Sequence, residues 1–267
     1  ISKTERKIRN FLSYHAHPKF EKIIGVDNSK NIYKKINKVR FFGQVRKSAL
    51  KTGPNLESVD TKRIEKYGYE KTTLKSNKRL HKLCTEEFIR AQEKIKRFQK
   101  EKPFLINVLN VHERSQLSEE VVKLGLSDWA LDKAISYMGF VPKLTAAKLL
   151  ISLPNEKQIK ENFSSQLFHL DNADMPFHHL KVFVNINDVT EKNGAFTFLD
   201  SIQSEQIIRE TRYGDKDQSY RLKDEIVEKS IPQEKWLRLK GKPNTALFID
   251  TSRCFHLGSR VLSGERK

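Results

Sequence analysis

The chain has 267 residues, enough for one large domain or one domain with an extension. Apolar residues make up 37 % of it and charged residues 31 %, which leaves enough apolar material for a core and excludes wholesale disorder. Its 51 Lys+Arg against 33 Asp+Glu give +18, and the excess is lopsided: residues 1–100 carry 27 basic and 10 acidic side chains, whereas 101–267 carry 24 and 23.

No apolar run approaches the roughly 18 residues that read as a membrane span, and no apolar segment with a small-residue cleavage site opens the chain. The sequence starts at Ile1 rather than Met, so residues are expected to precede it. Cys84 and Cys254 are too few for a disulfide framework or a Cys-rich zinc site, and a reducing, cytoplasmic compartment is expected. A basic surface draws polyanions such as nucleic acid, anionic lipid, or phosphorylated and CoA-linked substrates. Solvated lysines on helix faces account for the same charge without a partner. No aromatic–basic interleaving accompanies it, so nucleic acid is not the expected partner.

In chain order, residues 1–75 are polar and weakly periodic, with turn signals at Gly25, Gly43, Gly53-Pro54 and Gly68. Residues 77–102 read as a helix, with Leu80, Leu83, Phe88, Ile89, Ile95 and Phe98 near helical spacing and Pro103 as its stop. A second helix is expected after Ser118, with Glu119 and Glu120 in its first turn, where carboxylates suit the dipole, and Gly125 as its interruption. Ser127 can cap a third, through Ala130, Leu131, Ala134 and Ile135 to Gly139. After Pro142 the texture turns to short strands at 146–153, 165–169, 180–186, 195–199 and 245–249. Asn193-Gly194 before the fourth is a hairpin signal. The polar segment 203–236 reads as a helix plus a long loop over the sheet, a candidate lid, with Trp236 as core. This is an α+β pattern with a mainly β core of sandwich or jelly-roll kind, preceded by a helical, basic N-terminal region.

There is no P-loop, G-x-G-x-x-G, G-x-S-x-G, H-E-x-x-H or C-x-x-C. The positive signal is His169-Leu170-Asp171. On a strand, residues i and i+2 face the same way, so imidazole and carboxylate can meet one cation. A third ligand from a distant strand completes the 2-His-1-carboxylate triad of non-heme Fe(II) sites, which leaves open positions. A surface turn with two polar side chains accounts for the same tripeptide. His256 follows the apolar strand at 245–249 and lies 87 residues beyond His169; it supplies the third ligand or is a structural histidine. Arg266, ten residues on, can hold a distant carboxylate through paired hydrogen bonds, the anchor that an iron site for a 2-oxo acid needs, or lies on the surface. Asp174, His178 and His179 compete as ligands. His178 and His179 are adjacent and face opposite sides of a strand.

Together these pieces resemble the phytanoyl-CoA dioxygenase family of Fe(II)/2-oxoglutarate oxygenases. The matching text is Ser165-Gln166-Leu167-Phe168-His169-Leu170-Asp171, the strand from His179 through Asp188 and Val189, Asn193-Gly194-Ala195-Phe196-Thr197-Phe198, and Asp250 through His256 to Arg260. The resemblance covers a little under half of the chain. It implies a double-stranded β-helix, the cupin-like jelly roll, over 111–267 with supporting helices, onto which a basic region 1–110 packs. It implies His169, Asp171 and His256 as iron ligands, Arg266 as the grip on 2-oxoglutarate, and O₂ as second cosubstrate. The implied reaction hydroxylates an unactivated C–H of a small molecule, anionic or CoA-linked, with release of succinate and CO₂. A carboxylate at Asp171 favours hydroxylation over halogenation, since related halogenases carry a small residue there.

The chain departs from the family in three places. The arginine follows the distal histidine by ten residues instead of about eleven, which makes Arg260 a fallback anchor. The sequence reaches Lys267 before the family's final strand, so that strand is expected to be missing. Asp200-Ser201-Ile202-Gln203 stands where relatives often have Pro-Gly-Ser-His. A non-catalytic cupin-like metal- or ligand-binding protein and a nucleic-acid-directed oxidative demethylase are the alternatives. Substrate, pathway and oligomeric state leave no mark in the sequence.

Overall fold

The structure, a computed structural model, describes residues 59–98, 104–109, 115–138, 142, 144–154, 162–171, 179–213, 220–258 and 260–267. The turn signals at Gly25, Gly43 and Gly53-Pro54, the helix stops at Pro103 and Gly139, and the candidate ligands Asp174 and His178 lie outside them.

Helix α1 (Lys62–Tyr67) ends at Gly68, whose φ of 77° is the left-handed conformation a side chain resists. A Cβ there would also drive into Cys254 Sγ. The chain emerges as β1 (Tyr69–Thr73), a strand hidden in the sequence because Tyr69 is its one large apolar residue. Asn77 then accepts the Leu80 N–H to start α2 (Lys78–Phe98). Leu80, Cys84, Phe88 and Ala91 form its buried stripe, while Ile89, read as part of the stripe, is exposed.

A short strand β2 (Leu105–Asn107) precedes α3 (Gln116–Gly125). This helix begins earlier than expected, because Ser115 rather than Ser118 is the cap. Ser118 sits at the third helical position and closes a reciprocal capping box with it. Helix α4 (Asp128–Met138) follows Ser127 as expected. Strand β3 (Leu150–Ser152) pairs antiparallel with β2, and against this pair pack the stripe of α2 and Leu117 of α3.

The remaining strands are β4 (Leu180–Val184) and β5 (Thr197–Phe198), then, after α5 (Ser201–Thr211) and α6 (Asp224–Glu228), β6 (Leu237–Arg238), β7 (Thr245–Asp250) and β8 (His256–Leu257). They form two antiparallel sheets of three strands, ordered β1-β7-β4 and β6-β5-β8. In the second sheet the ladder continues through isolated bridges, His169 to His256 and Phe168 to Leu222.

Asn193-Gly194 does not make a hairpin: β4 pairs with β7, and β5 pairs with β6 and β8. The turn forms, since Asn193 Oδ1 accepts the Thr190 N–H at 2.7 Å, but it carries the chain from one sheet to the other. Glycine is needed at 194, where φ is 78° and a Cβ would lie 2.8 Å from the Arg260 carbonyl carbon.

Period-two alternation fixes what each face meets. In β7, Leu247 and Ile249 point between the sheets, where Lys181 and Phe183 of β4 sit opposite Ile249 and Leu247. Phe196, Phe198 and Leu239 close this interior from the other sheet, with Phe183 stacked on Phe196 at 4.3 Å and Tyr69 edge-on to Phe198 at 4.9 Å. The alternate residues of β7 face outward: Phe248 packs on Ile64, Tyr137 and Met138. The outer face of the second sheet lies under α5 and α6 in a layer of Phe168, Leu199, Ile207, Leu222, Val227, Trp236 and Phe255. The described part of the segment read as a candidate lid is thus a packed layer. Trp236 is core as expected, its indole donating to the Ile231 carbonyl at 2.9 Å.

Candidate metal centre

Alternation also builds the site. Phe168 and Leu170 enter the outer apolar layer, so His169 and Asp171 face the interior. Phe255 and Leu257 do the same on the neighbouring strand, so His256 faces inward beside them. His169 and His256 exchange backbone hydrogen bonds of 3.1 and 3.0 Å, which sets their rings 4.3 Å apart. Asp171 is held by its own N–H, which donates to the Thr251 carbonyl at 2.9 Å. Tyr213 braces the same strand, its hydroxyl accepting the Leu170 N–H.

The candidate ligand atoms of His169, Asp171 and His256 all lie within 4.8 Å of one another. Asp171 Oδ1 is 3.9 Å from His169 Nε2, and Oδ2 is 3.3 Å from His256 Nε2. Each histidine presents Nδ1 to the carbonyl two residues before it, His169 to Leu167 at 2.9 Å and His256 to Cys254 at 3.0 Å. A carbonyl only accepts, so both Nδ1 atoms are donors and each ring turns Nε2 inward. Burial, with the His256 ring beside it, pushes the His169 pKa down to about 3, so that ring is neutral at neutral pH. Burial alone would raise the Asp171 carboxyl, but the His256 ring and the Lys181 ammonium hold it well below the usual range. Two imidazoles and a carboxylate therefore converge, and this nitrogen–oxygen composition suits divalent iron.

The other expected residues divide. Arg266 exchanges backbone hydrogen bonds with Ser152 and donates from its guanidinium to the Gly194 carbonyl and, at 3.0 Å, to Ser152 Oγ. Among the described residues no carboxylate pairs with it, and burial lowers its pKa to about 10. Its Nη2 lies 3.7 Å from where a Cβ of Gly258 would stand, two residues beyond His256 and on the same face of the strand. Arg260 is instead committed: Nη1 and Nη2 grip Asp224 at 2.6 and 2.8 Å, and Nε donates to the Gln166 carbonyl at 2.8 Å. His179 lies outside the triad. Its backbone donates to Asp250 Oδ1 and accepts from Thr251, while burial and Lys181 lower its pKa.

Asp200 and Gln203, in the stretch that departs from the family, form the capping box of α5. Two site residues were missed. Lys181 Nζ donates to Asp171 Oδ2 at 2.5 Å, and the Arg221 charge acts on the His169 ring. The signal for Lys181 was available: a lone lysine at an inward position of an otherwise apolar strand.

Among the described residues no helix is long and apolar enough to cross a membrane. No protein-family model matches the chain, and no curated protein matches it. Among solved structures, it is similar to the crystal structure of SnoK, a non-heme alpha ketoglutarate dependent carbocyclase from nogalamycin biosynthesis. Identity is 12 %, the TM-score is 0.44, and the match covers 80 % of this chain and 83 % of that one.

Proposed function

We propose that this chain is an Fe(II)- and 2-oxoglutarate-dependent oxygenase, a hydroxylase resembling the phytanoyl-CoA dioxygenase family on a double-stranded β-helix. The observation that carries the reading is the inward convergence of the His169 and His256 ring nitrogens on the Asp171 carboxylate, with Nδ1 of each ring turned to a backbone carbonyl. Two antiparallel sheets joined face to face by an apolar interior are consistent with the fold.

His169, Asp171 and His256 would hold the metal. Bound iron supplies the redox chemistry by which 2-oxoglutarate and O₂ become succinate and CO₂ as one oxygen atom enters a substrate C–H bond. The chain's own part is positioning. Arg266 is suited to a dicarboxylate because it is a buried cation without a carboxylate, on the His256 face of β8. Arg260 is not suited, since Asp224 already fills its fork. The apolar interior around Phe183, Phe196 and Phe198 keeps water away from the reacting groups. A reducing, cytoplasmic compartment suits ferrous iron and the two free cysteines, Cys84 and Cys254.

The test adds Fe(II) and then 2-oxoglutarate to the full chain without oxygen and records the visible spectrum. The expected result is a weak metal-to-ligand charge-transfer band that is absent in His169→Ala and His256→Ala. A folded protein that gives no band is a binding scaffold and not an oxygenase.

A further inference from the structure

Lys181 is out of place for a core residue. Its strand β4 alternates, and the inward neighbours are Phe183 on the same strand and Ile249 opposite. An ammonium aimed into such an interior is costly unless something anionic meets it. Asp171 meets it at 2.5 Å, through the oxygen that also faces His256. The lysine side chain remains 35 % exposed, and an ammonium has three donors, so it can meet an acceptor besides Asp171. Arg221 adds positive charge that acts on the His169 ring.

A metal at the triad changes the balance. It shares the Asp171 carboxylate and brings two positive charges of its own, so Lys181 loses much of its counter-charge. A 2-oxoglutarate held by the metal and Arg266 would offset the metal but leave Lys181 with half a partner. Resting on the oxygenase reading, we propose that Lys181 anchors an anionic head group of the primary substrate, a carboxylate or a phosphate. Phe196, 5.5 Å from the His256 ring, and Phe183 stacked on it make the neighbourhood apolar, which suits a head group carried on a hydrocarbon body. Because the ammonium lies one hydrogen bond from a metal ligand, the oxidised C–H is near the anionic head and not at the remote end of the substrate.

The anaerobic complex of the full chain with Fe(II) and 2-oxoglutarate is titrated with hexanoate, hexyl phosphate and uncharged hexanamide while the visible band is followed. The expected result is that at least one anion perturbs the band at concentrations about tenfold or more below hexanamide, the worth of one charge-assisted hydrogen bond. Which anion does so separates carboxylate from phosphate. Lys181→Met erases that preference and Lys181→Arg retains it. Three results overturn the proposal: a present band on which the anions act no better than hexanamide, a preference that survives in Lys181→Met, or loss of the band itself in Lys181→Met, which would make the lysine a support for Asp171 alone. Absence of the band in the unmutated chain rejects the oxygenase reading instead, and the substrate assignment falls with it.

Discussion

The two faces of the second sheet are made by the same few residues and do opposite things. On the outer face, Phe168, Leu170, Phe255 and Leu257 are buried in an apolar layer under α5 and α6. On the inner face, one residue along in each case, His169, Asp171 and His256 converge. The outer face lowers the free energy of the fold by apolar burial. The inner face holds polar groups, with Lys181 against the Asp171 charge, and the aromatic residues directly next to them in sequence fix their place.

Truncating the outer face breaks that arrangement most severely. Phe255→Ala removes a fully buried ring that packs edge-on against Tyr213 at 4.7 Å, and is expected to cost about 3–5 kcal/mol in urea unfolding. It should loosen metal binding in what remains folded. The converse change spares the fold: His169→Ala is expected to weaken Co(II) binding by about a hundredfold or more, while the unfolding midpoint moves far less than in Phe255→Ala. Equal destabilisation by the two variants would mean that the inner face is ordinary core.

The two arginines sharpen the comparison further. Arg266→Met should raise the 2-oxoglutarate concentration needed for the charge-transfer band about tenfold or more, at little cost in stability. Arg260→Met should do the reverse. It leaves Asp224 without its fork and costs about 1–3 kcal/mol, with the 2-oxoglutarate requirement unchanged. A swap of these outcomes would make Arg260 the anchor.

The smallest effect lies away from both faces, in α2. Burial pushes the Cys84 thiol up to about 12 from an ordinary 9.0. The folded state therefore keeps a proton that the unfolded chain releases. The contribution is fully present below pH 9 and is lost as pH rises from 9 towards 12. The unfolding midpoint should fall over the accessible part of that window, and less steeply in Cys84→Val.

The convergence of His169 and Asp171 was legible in the sequence because alternation is a local rule, whereas His256, beyond the strand read at 245–249, was joined to them by its position after that strand and by the resemblance. The wrong hairpin shows where local rules end. Asn193-Gly194 specifies that the chain turns, and not which strand it turns towards; that choice belongs to the Arg260 backbone packed against Gly194 and to the better partner β4 finds in β7. Strand β1 was invisible for a similar reason, since its place is set by the edge of β7 and not by its own side chains. Arg266 and Arg260 could not be ranked from spacing, because their difference is the presence of Asp224, distant in sequence, at one of them.

The paired histidines carry one more consequence. An antiparallel pair has a local twofold axis between its members, and here the axis relates Leu167-Phe168-His169-Leu170-Asp171 to Cys254-Phe255-His256-Leu257-Gly258. The Phe-His-Leu core of each segment is identical, down to the Nδ1 hydrogen bond to the carbonyl two residues earlier. On the inner face the symmetry fails two residues after the histidine, where a carboxylate on one strand has a glycine as its mate on the other. That asymmetry puts the Asp171 carboxylate on one side of the centre and the Arg266 guanidinium, beside Gly258, on the other. Gly258→Asp would restore the symmetry and set a second carboxylate against that guanidinium.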